Sequence, residues 1–176
     1  MTTEGARPMQ FGPAIRKVVA AVVVGAMLVW AIPLQAAPSD DRAVAACIKR
    51  SAGGRAWLEK TLWGLRDQEG GWIGAEIANG DGSHDLGPLQ VNSWWVPRLA
   101  AITGRPEPHI RHWLKLDPCF NVEAARWIFL SGLAATRDYW KAVGVYHSPT
   151  GWRQRRYATS VVAHLQRRFG SRAFER

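Results

Sequence analysis

The chain has 176 residues, and 47% of them are hydrophobic. Once an N-terminal targeting segment is set aside, about 140 residues remain, which is enough for one domain with a core and excludes a second. The chain carries 23 lysines and arginines against 14 aspartates and glutamates, a net charge of +9. Without the targeting segment the counts are 20 and 13, and the resulting charge of +7 predicts adhesion to polyanions.

The first 36 residues have the pattern of an export signal. Two basic residues precede the apolar run from Val18 to Ile32, and a small residue, Ala36, supplies a cleavage site. The apolar run is shorter than the roughly 20 residues that a membrane-spanning helix needs. We therefore expect a secretory signal peptide over 1–36 and a mature domain over 37–176, with an uncleaved membrane anchor as the alternative.

Export also decides which partners the basic surface meets. Seven arginines cluster near the C-terminus beside an apolar stripe, which predicts an amphipathic helix with a solvated basic face. These arginines are Arg153, Arg155, Arg156, Arg167, Arg168, Arg172 and Arg176. An exported chain meets anionic envelope polymers first, so we expect no nucleic-acid partner, and membrane contact only through the signal segment before cleavage. Salt-dependent DNA binding through the arginine-rich tail is the alternative.

Two cysteines, Cys47 and Cys119, follow the signal. In an oxidising compartment a single disulfide between them is favoured. Joining positions so far apart would stabilise the folded chain by roughly 4 kcal/mol on the chain-entropy model. Two free buried thiols are the alternative, and a zinc site is disfavoured because two isolated cysteines lack the spacing of zinc ligands.

A predicted helix brings one acidic residue to the edge of a loop region. Its apolar stripe consists of Leu58, Leu62 and Leu65. Glu69 continues this stripe one turn later, and Gly70 with Gly71 ends the helix. The helix C-terminus and half-burial both raise the pKa of a carboxyl group, which would let Glu69 donate a proton near neutral pH. An exposed glutamate that merely fills the last turn is the alternative.

The rest of the mature chain is predominantly helical in pattern. Short strands are confined to Ile73 through Val91, because no stretch shows sustained alternation. Six further helices are expected: from Asp40 or Asp41 to Lys49, from a Ser93 cap to Ile102, from Pro108 to Leu114, from an Asn121 cap to Leu133, from Trp140 to Tyr146 and from Tyr157 to Phe169. These elements predict a mainly α domain with a small turn-rich or β segment.

Several motifs follow one another along the mature chain. They are Glu69-Gly70-Gly71, Asn79-Gly80-Asp81-Gly82, the run DLGPLQVN from Asp85 to Asn92, Asp117 to Asn121, and Trp127-Ile128. In this order they resemble the lytic transglycosylase family, over roughly Cys47 to Ser148. The resemblance is closest to the small secreted members associated with conjugation and type IV secretion. It implies a mainly α, lysozyme-like fold with a small β segment beside the active-site cleft.

The resemblance also implies an activity. In this family the substrate is peptidoglycan, which is cleaved at the β-1,4 bond between N-acetylmuramic acid and N-acetylglucosamine. One glutamate protonates the glycosidic oxygen and then accepts the proton of the muramic 6-hydroxyl, which gives a 1,6-anhydro sugar without water or a cofactor. By resemblance, Glu69 takes this catalytic role. A periplasmic enzyme is implied, whose partners are proteins of a conjugation or secretion apparatus that needs local wall opening.

Candidate glycan-binding residues follow from the same motifs. Gln90 and Asn92 match the Gln and Asn that follow the family's Gly-x-x motif, whose glycine is Gly87. The resemblance implies that they hydrogen-bond the substrate or hold the loop against the acid. Tyr146 matches a tyrosine that closes over the catalytic glutamate in the family, with a buried tyrosine that has only a local hydrogen-bond partner as the alternative. Among the tryptophans that border loops, Trp72, Trp94, Trp95 and Trp152, we select Trp72 as a residue that stacks on a sugar.

Two positions depart from the family pattern. Gly70 stands where the family has a serine after the acid, and Tyr146 is followed by His147 and Ser148 where the family has asparagine. These departures concern the substrate contacts and leave Glu69 in place.

Two other functions stay open. A hydrolytic muramidase normally needs a second carboxylate, for which Glu76, Asp81 and Asp85 are the nearby acids, although turn formation is the commoner role of such residues. A non-catalytic peptidoglycan-binding assembly factor would use the tryptophans and the basic surface. We expect no metal, because His109 and His112 have no third ligand in view.

Overall fold

Seven α-helices and one small sheet form the part of the chain that the computed structural model describes, residues 38–170 and residue 173. In chain order the elements are α1 (Pro38–Ala52), α2 (Ala56–Glu69), β1 (Glu76–Ala78), β2 (His84–Leu86), β3 (Val91–Asn92), a short 3-10 helix (Ser93–Trp95), α3 (Val96–Thr103), α4 (Glu107–Leu116), α5 (Pro118–Thr136), α6 (Tyr139–His147) and α7 (Gly151–Phe169). The predicted mainly α, lysozyme-like fold is confirmed. The predicted signal peptide over 1–36 lies outside the described residues.

The core lies around α2 and α5, against which α1, α6 and α7 pack. The predicted stripe of α2 is completely buried, because Leu58, Leu62 and Leu65 have no exposed surface. On α5, Phe129 is also fully buried and meets the ring of Tyr139 edge-on, with centroids 5.7 Å apart. Each such side chain contributes roughly 2 kcal/mol by leaving water, so α2 is held firmly along its whole length.

A glycine sets the distance between α2 and α7. A Cβ atom on Gly64 would lie 2.9 Å from Cγ1 of Val161 and 3.0 Å from the side chain of Leu165, so a larger residue would push the two helices apart. Further along α2, Glu69 meets Tyr157 of α7, so the contacts run in opposite directions on the two helices. This antiparallel packing brings the N-terminal half of α7 to the end of α2.

The predicted disulfide is confirmed. It joins Cys47 of α1 to Cys119 in the first turn of α5, and the described residues contain no free cysteine. Nearby, the hydroxyl of Ser51 donates a 2.6 Å hydrogen bond to Glu123 across the same pair of helices. The covalent link therefore ties the N-terminal helix of the described part to the second half of the domain.

Three short antiparallel strands form the sheet, in the order β1-β2-β3. Glu76 lies opposite Leu86, and Asp85 lies opposite Asn92. The prediction of short strands within Ile73 to Val91 is confirmed, with Asn92 as one residue beyond it.

Two predicted helix caps are wrong. The 3-10 helix before α3 is capped by Asn92, whose side chain accepts the N–H of Trp94 at 3.0 Å, whereas the hydroxyl of Ser93 accepts the N–H of His84. At α5, Asp117 accepts the N–H of Cys119 at 2.8 Å and also that of Phe120. Asn121 is instead buried inside this helix, because its amide has partners in the core.

The last helix begins earlier than predicted, at Gly151 and not at Tyr157. Pro149 biases Ser148 toward an extended backbone, with φ −159° and ψ 146°, which ends α6 and lets α7 start at Gly151. No helix within the described residues, α7 included, is both long and apolar enough to cross a membrane.

Candidate active site

A cleft of about 490 Å³ opens between the end of α2, the sheet and the start of α7. Its lining residues are Glu69, Asn79, Gly80, Asp81, Ser83, Asp85, Gln90, Val91, Asn92, Trp95, Ile128, Tyr146, His147 and Arg153. The predicted catalytic residue and three predicted binding residues, Gln90, Asn92 and Tyr146, are thus brought together. The other two predicted binding residues, Gly87 and Trp72, are not among the lining residues.

Glu69 is the last residue of α2, directly before the Gly70 cap. Burial raises the pKa of Glu69 from 4.5 to about 7; a hydrogen bond from Tyr157 opposes this shift, and the negative charge of Asp85 adds to it. At pH 7 about half of the molecules therefore carry a proton on this carboxyl group. A group in this state can donate a proton and then act as a base.

Tyr157 is the partner that the sequence did not reveal. Its hydroxyl donates a hydrogen bond to Oε1 of Glu69, and the residue is only 5% exposed. On the sequence it belongs to the apolar stripe of α7, one turn before Val161, where a tyrosine is usually a core residue. The available signal was its hydroxyl, because a buried tyrosine needs a hydrogen-bond partner.

Asp85 on β2 is a second acid in the cleft, and its charge influences the pKa of Glu69. Its negative charge raises the pKa of Glu69 and of Tyr146. Its Oδ1 accepts a 2.9 Å hydrogen bond from Nδ2 of Asn92 on the paired strand, and the same nitrogen donates to the hydroxyl of Ser83 at 3.0 Å. Asn92 therefore orients Asp85 and the neighbouring turn.

A buried asparagine fixes the loop between β2 and β3. The side chain of Asn121 accepts the N–H of Leu89 at 2.9 Å and donates to the carbonyls of Leu86 and Leu114, each at 2.8 Å. Gly87 in this loop has φ +70°, and a Cβ atom on it would lie 2.1 Å from the Leu114 carbonyl oxygen. The backbone, and not a contact in the cleft, thus requires glycine at this position.

Gln90 and Tyr146 hold the same loop from the cleft side. Gln90 has φ +49°, and its Nε2 donates to the carbonyl of Gly87 at 2.8 Å. The hydroxyl of Tyr146 donates to the carbonyl of Leu89, also at 2.8 Å. Burial raises the pKa of Tyr146 well above its ordinary value, so the group remains a hydrogen-bond donor at physiological pH.

The other two candidate second acids have structural partners. Glu76 lies outside the cleft lining, where hydrogen bonds from Lys115 and Arg111 lower its pKa to about 2. Asp81 lines the cleft but forms its turn, accepting hydrogen bonds from the N–H and hydroxyl of Ser83 at 2.9 and 2.7 Å. Among the three, Asp85 alone lines the cleft and influences Glu69.

Of the tryptophans that border loops, Trp95 is the one that lines the cleft. Its ring meets Trp127 edge-on, with centroids 5.7 Å apart, which fixes its orientation. Trp94 is 73% exposed, and Trp72 is half-buried outside the cleft lining. A sugar in the cleft would therefore meet Trp95 and not Trp72.

His147, which departs from the family pattern, has a defined packing partner in the structure. Its ring stacks parallel on Tyr157, with centroids 4.7 Å apart and an interplanar angle of 4°. Burial lowers the pKa of His147, an effect that Asp85 opposes and Arg153 reinforces, so the ring is neutral at pH 7. The histidine thus packs against the tyrosine that contacts Glu69.

The side chains that line the cleft are suited to proton transfer. Within residues 38–170 no group of three or more His, Cys, Asp or Glu side chains is arranged to hold a metal, and His109 stacks on Trp113 with ring centroids 6.2 Å apart. The cleft provides one carboxyl group that is protonated in part at neutral pH, a tyrosine that contacts it and a neighbouring acid. This set suits an acid that gives a proton to an oxygen and then takes one back.

Comparison with known proteins finds a relative of the chain. No protein-family model matches the chain. The chain is 31% identical over 121 residues to the Invasion protein IagB of Salmonella typhimurium, in strain SL1344 and in strain LT2. The alignment covers 65% of this chain and 72% of that protein. The chain belongs to the lytic transglycosylase-like family.

Proposed function

We propose that this protein is a periplasmic lytic transglycosylase that cleaves the β-1,4 bond between N-acetylmuramic acid and N-acetylglucosamine in peptidoglycan. The observation that carries the proposal is the state of Glu69, a carboxyl group in a cleft whose pKa is raised to about 7 by burial. Such an acid is available to protonate a leaving oxygen at neutral pH, which a glutamate in water is not.

The proposed reaction uses this one acid twice. Glu69 gives its proton to the glycosidic oxygen as the bond to muramic C1 breaks, and positive charge develops on the sugar ring. The resulting carboxylate then removes the proton of the muramic 6-hydroxyl while O6 bonds to C1. The 1,6-anhydro sugar forms, water is not consumed, and Glu69 ends in the protonated state in which it began.

Tyr157 has a distinct part in this scheme. Its hydrogen bond favours the carboxylate form of Glu69, so it keeps the pKa from rising beyond about 7 and prepares the base for the second step. The N-acetyl group of the substrate is the proposed stabiliser of the oxocarbenium-like state, and no second protein carboxylate is then required. Gln90, Asn92 and Tyr146 shape the wall of the cleft.

The proposed setting is an exported enzyme that opens the wall locally during assembly of a conjugation or secretion apparatus. The sequence-based signal peptide over 1–36, the disulfide and the resemblance to conjugation-associated members support this setting. Proteins of that apparatus are the proposed partners, and the basic charge suits adhesion to the anionic wall.

A hydrolytic muramidase is the second candidate, and Asp85 is the observation in its favour. This acid lines the cleft, and its charge influences Glu69, as expected of a second carboxylate that activates water. The two reactions differ in their products, because hydrolysis adds one water to the sugar end that transglycosylation leaves in anhydro form.

The test is mass spectrometry of soluble products after purified mature protein is incubated with peptidoglycan. Glu69→Gln removes the acid and keeps the shape of the side chain, and Glu59→Gln on the same helix is the matched control. We expect anhydro-muropeptides from the wild type and from the control, and none from Glu69→Gln.

Three results would contradict this proposal in different ways. Full turnover by Glu69→Gln would exclude the assigned acid. Products heavier by one water would identify a hydrolase. Sedimentation with the wall without any soluble product would favour a non-catalytic binding factor.

A further inference from the structure

Among its described residues the cleft lining contains a single side chain that is cationic at neutral pH, and it is exposed. This residue is Arg153, which lies in the first turn of α7 and is exposed. Two acids, Asp81 and Asp85, belong to the same lining. An anionic substrate would be repelled by these acids, so an exposed cation in the lining decides where such a substrate can place its charge.

Several arginines of the described domain form ion pairs with acids, and Arg153 is not one of them. Arg111, Arg126 and Arg168 form ion pairs with Glu76, Glu123 and Asp67. Within the part of the chain that the structure describes, no carboxylate forms an ion pair with Arg153. Its fork of N–H donors is therefore available to a ligand.

A tryptophan holds this guanidinium in place. The Cζ atom of Arg153 lies 5.3 Å from the centre of the Trp152 ring, which is itself 55% exposed. Stacking on an aromatic ring restricts the arginine side chain before any ligand arrives and lowers the entropy cost of binding. On the cleft side, the charge of Arg153 reaches His147, the ring that packs on Tyr157.

We propose that Arg153 binds a carboxylate of the stem peptide carried by the muramic acid unit, and so selects glycan that still bears its peptides. This inference rests on the proposed function and names the part of the substrate that Arg153 binds at one side of the cleft. The lactyl carboxylate that is freed when stems are removed is the other anion of the same class. A planar guanidinium suits either one, because it can donate two parallel hydrogen bonds to a carboxylate.

The experiment compares Arg153→Gln with Arg155→Gln on three forms of peptidoglycan. Arg155 is exposed two residues further along α7 and lies outside the cleft lining, so its substitution removes the same charge from a different surface. The substrates are native peptidoglycan, peptidoglycan with its carboxylates converted to amides, and glycan stripped of stem peptides. Release of anhydro-muropeptides or anhydro-glycan is measured against substrate concentration.

On native peptidoglycan we expect Arg153→Gln to lower kcat/KM about tenfold, mainly through KM, because a charge-assisted contact remote from the broken bond is lost. Arg153→Lys should retain part of the activity, and Arg155→Gln should match the wild type. On the amidated and the stripped substrates, Arg153→Gln and the wild type should have equal kcat/KM.

Each of the other possible results would contradict a specific part of this proposal. An equal loss on native and amidated substrate would show that Arg153 acts without reading a carboxylate. A loss on stripped glycan without a loss on native peptidoglycan would assign the contact to the lactyl group and exclude the stem. Cleavage of native substrate with no difference between Arg153→Gln and wild type would refute this inference alone. The absence of any wild-type product would refute the proposed function and this inference with it.

Discussion

Two glutamates seven residues apart show how the fold assigns opposite properties to one side chain. Glu69 ends α2 in the cleft, and burial raises its pKa to about 7. Glu76 begins β1, where Lys115 and Arg111 lower its pKa to about 2. The first is prepared to exchange a proton at neutral pH, whereas the second is a permanent anion that joins the sheet to α4.

The difference arises from partners and not from chain position. Glu69 has a neutral donor, Tyr157, and an acidic neighbour, Asp85, so little offsets the cost of burying its charge. Glu76 receives two cationic donors that repay its desolvation. Within seven residues the chain therefore has one glutamate that can exchange a proton and one that supports the structure, and the role of each can be tested.

The largest expected effect is on stability at the Glu69 side. Between pH 4.5 and about 7 the folded state binds more protons at Glu69 than the unfolded state does, so the free energy of unfolding falls as pH rises through this range. Above pH 7 the free energy of unfolding is about 3 kcal/mol lower than it is below pH 4.5, as far as Glu69 alone is concerned. Glu69→Gln lacks this charge, so it should be more stable than the wild type at pH 8 and gain little at pH 4. Urea unfolding at both pH values measures the difference; an advantage that does not depend on pH would contradict the raised pKa.

Next in size is Tyr157→Phe. Loss of the hydroxyl removes the hydrogen bond that lowers the pKa of Glu69, so this pKa should rise further and the alkaline limb of the kcat/KM profile should move to higher pH. Weaker stabilisation of the carboxylate should also lower kcat by roughly ten- to a hundredfold.

Tyr139→Phe is the matched control for this change. Tyr139 forms a 2.7 Å hydrogen bond with Thr61 away from the cleft, so its loss should leave the alkaline limb where it is. An unmoved limb in Tyr157→Phe as well would show that this hydroxyl does not govern Glu69.

On the Glu76 side, Glu76→Gln should leave the pH profile of activity unchanged and lower the free energy of unfolding by about 1 kcal/mol at pH 7, since the ion pairs are partly exposed to solvent. The wild type keeps this contribution above pH 4.5 and loses it as pH falls toward the folded pKa of about 2. Urea unfolding at several pH values measures it. A shifted pH profile of activity in Glu76→Gln would contradict the separation of Glu76 from the cleft.

The smallest expected effect is that of Asp85→Asn. Its charge is the weakest of the three influences on Glu69, so its removal should lower the pKa of Glu69 and move the alkaline limb of kcat/KM slightly to lower pH. Asp81→Asn, in the same cleft, is the control and should not move the limb. A loss of turnover as large as that of Glu69→Gln would instead give Asp85 a direct role and favour hydrolysis.

Much of the fold was predictable because it depends on local patterns. The leucine stripe of α2, its glycine end and the short strands follow from spacing and turn chemistry, and they agree with the structure. The caps at Ser93 and Asn121 were wrong for one reason. Either side chain suits a helix start, and the choice depends on partners distant in sequence: His84 for Ser93, and the loop before β3 for Asn121.

The sequence by itself determined the helical class, the disulfide and the placement of Glu69 at a helix end, since these need only periodicity, two cysteines and a glycine stop. The tertiary structure decided what Glu69 meets. Tyr157 lies 88 residues away and reaches it because Gly64 lets α7 approach α2 closely. It also decided that Asp85 lines the cleft beside Glu69 while Glu76 pairs with cations, because the pKa of a carboxyl group depends on neighbours that only folding supplies.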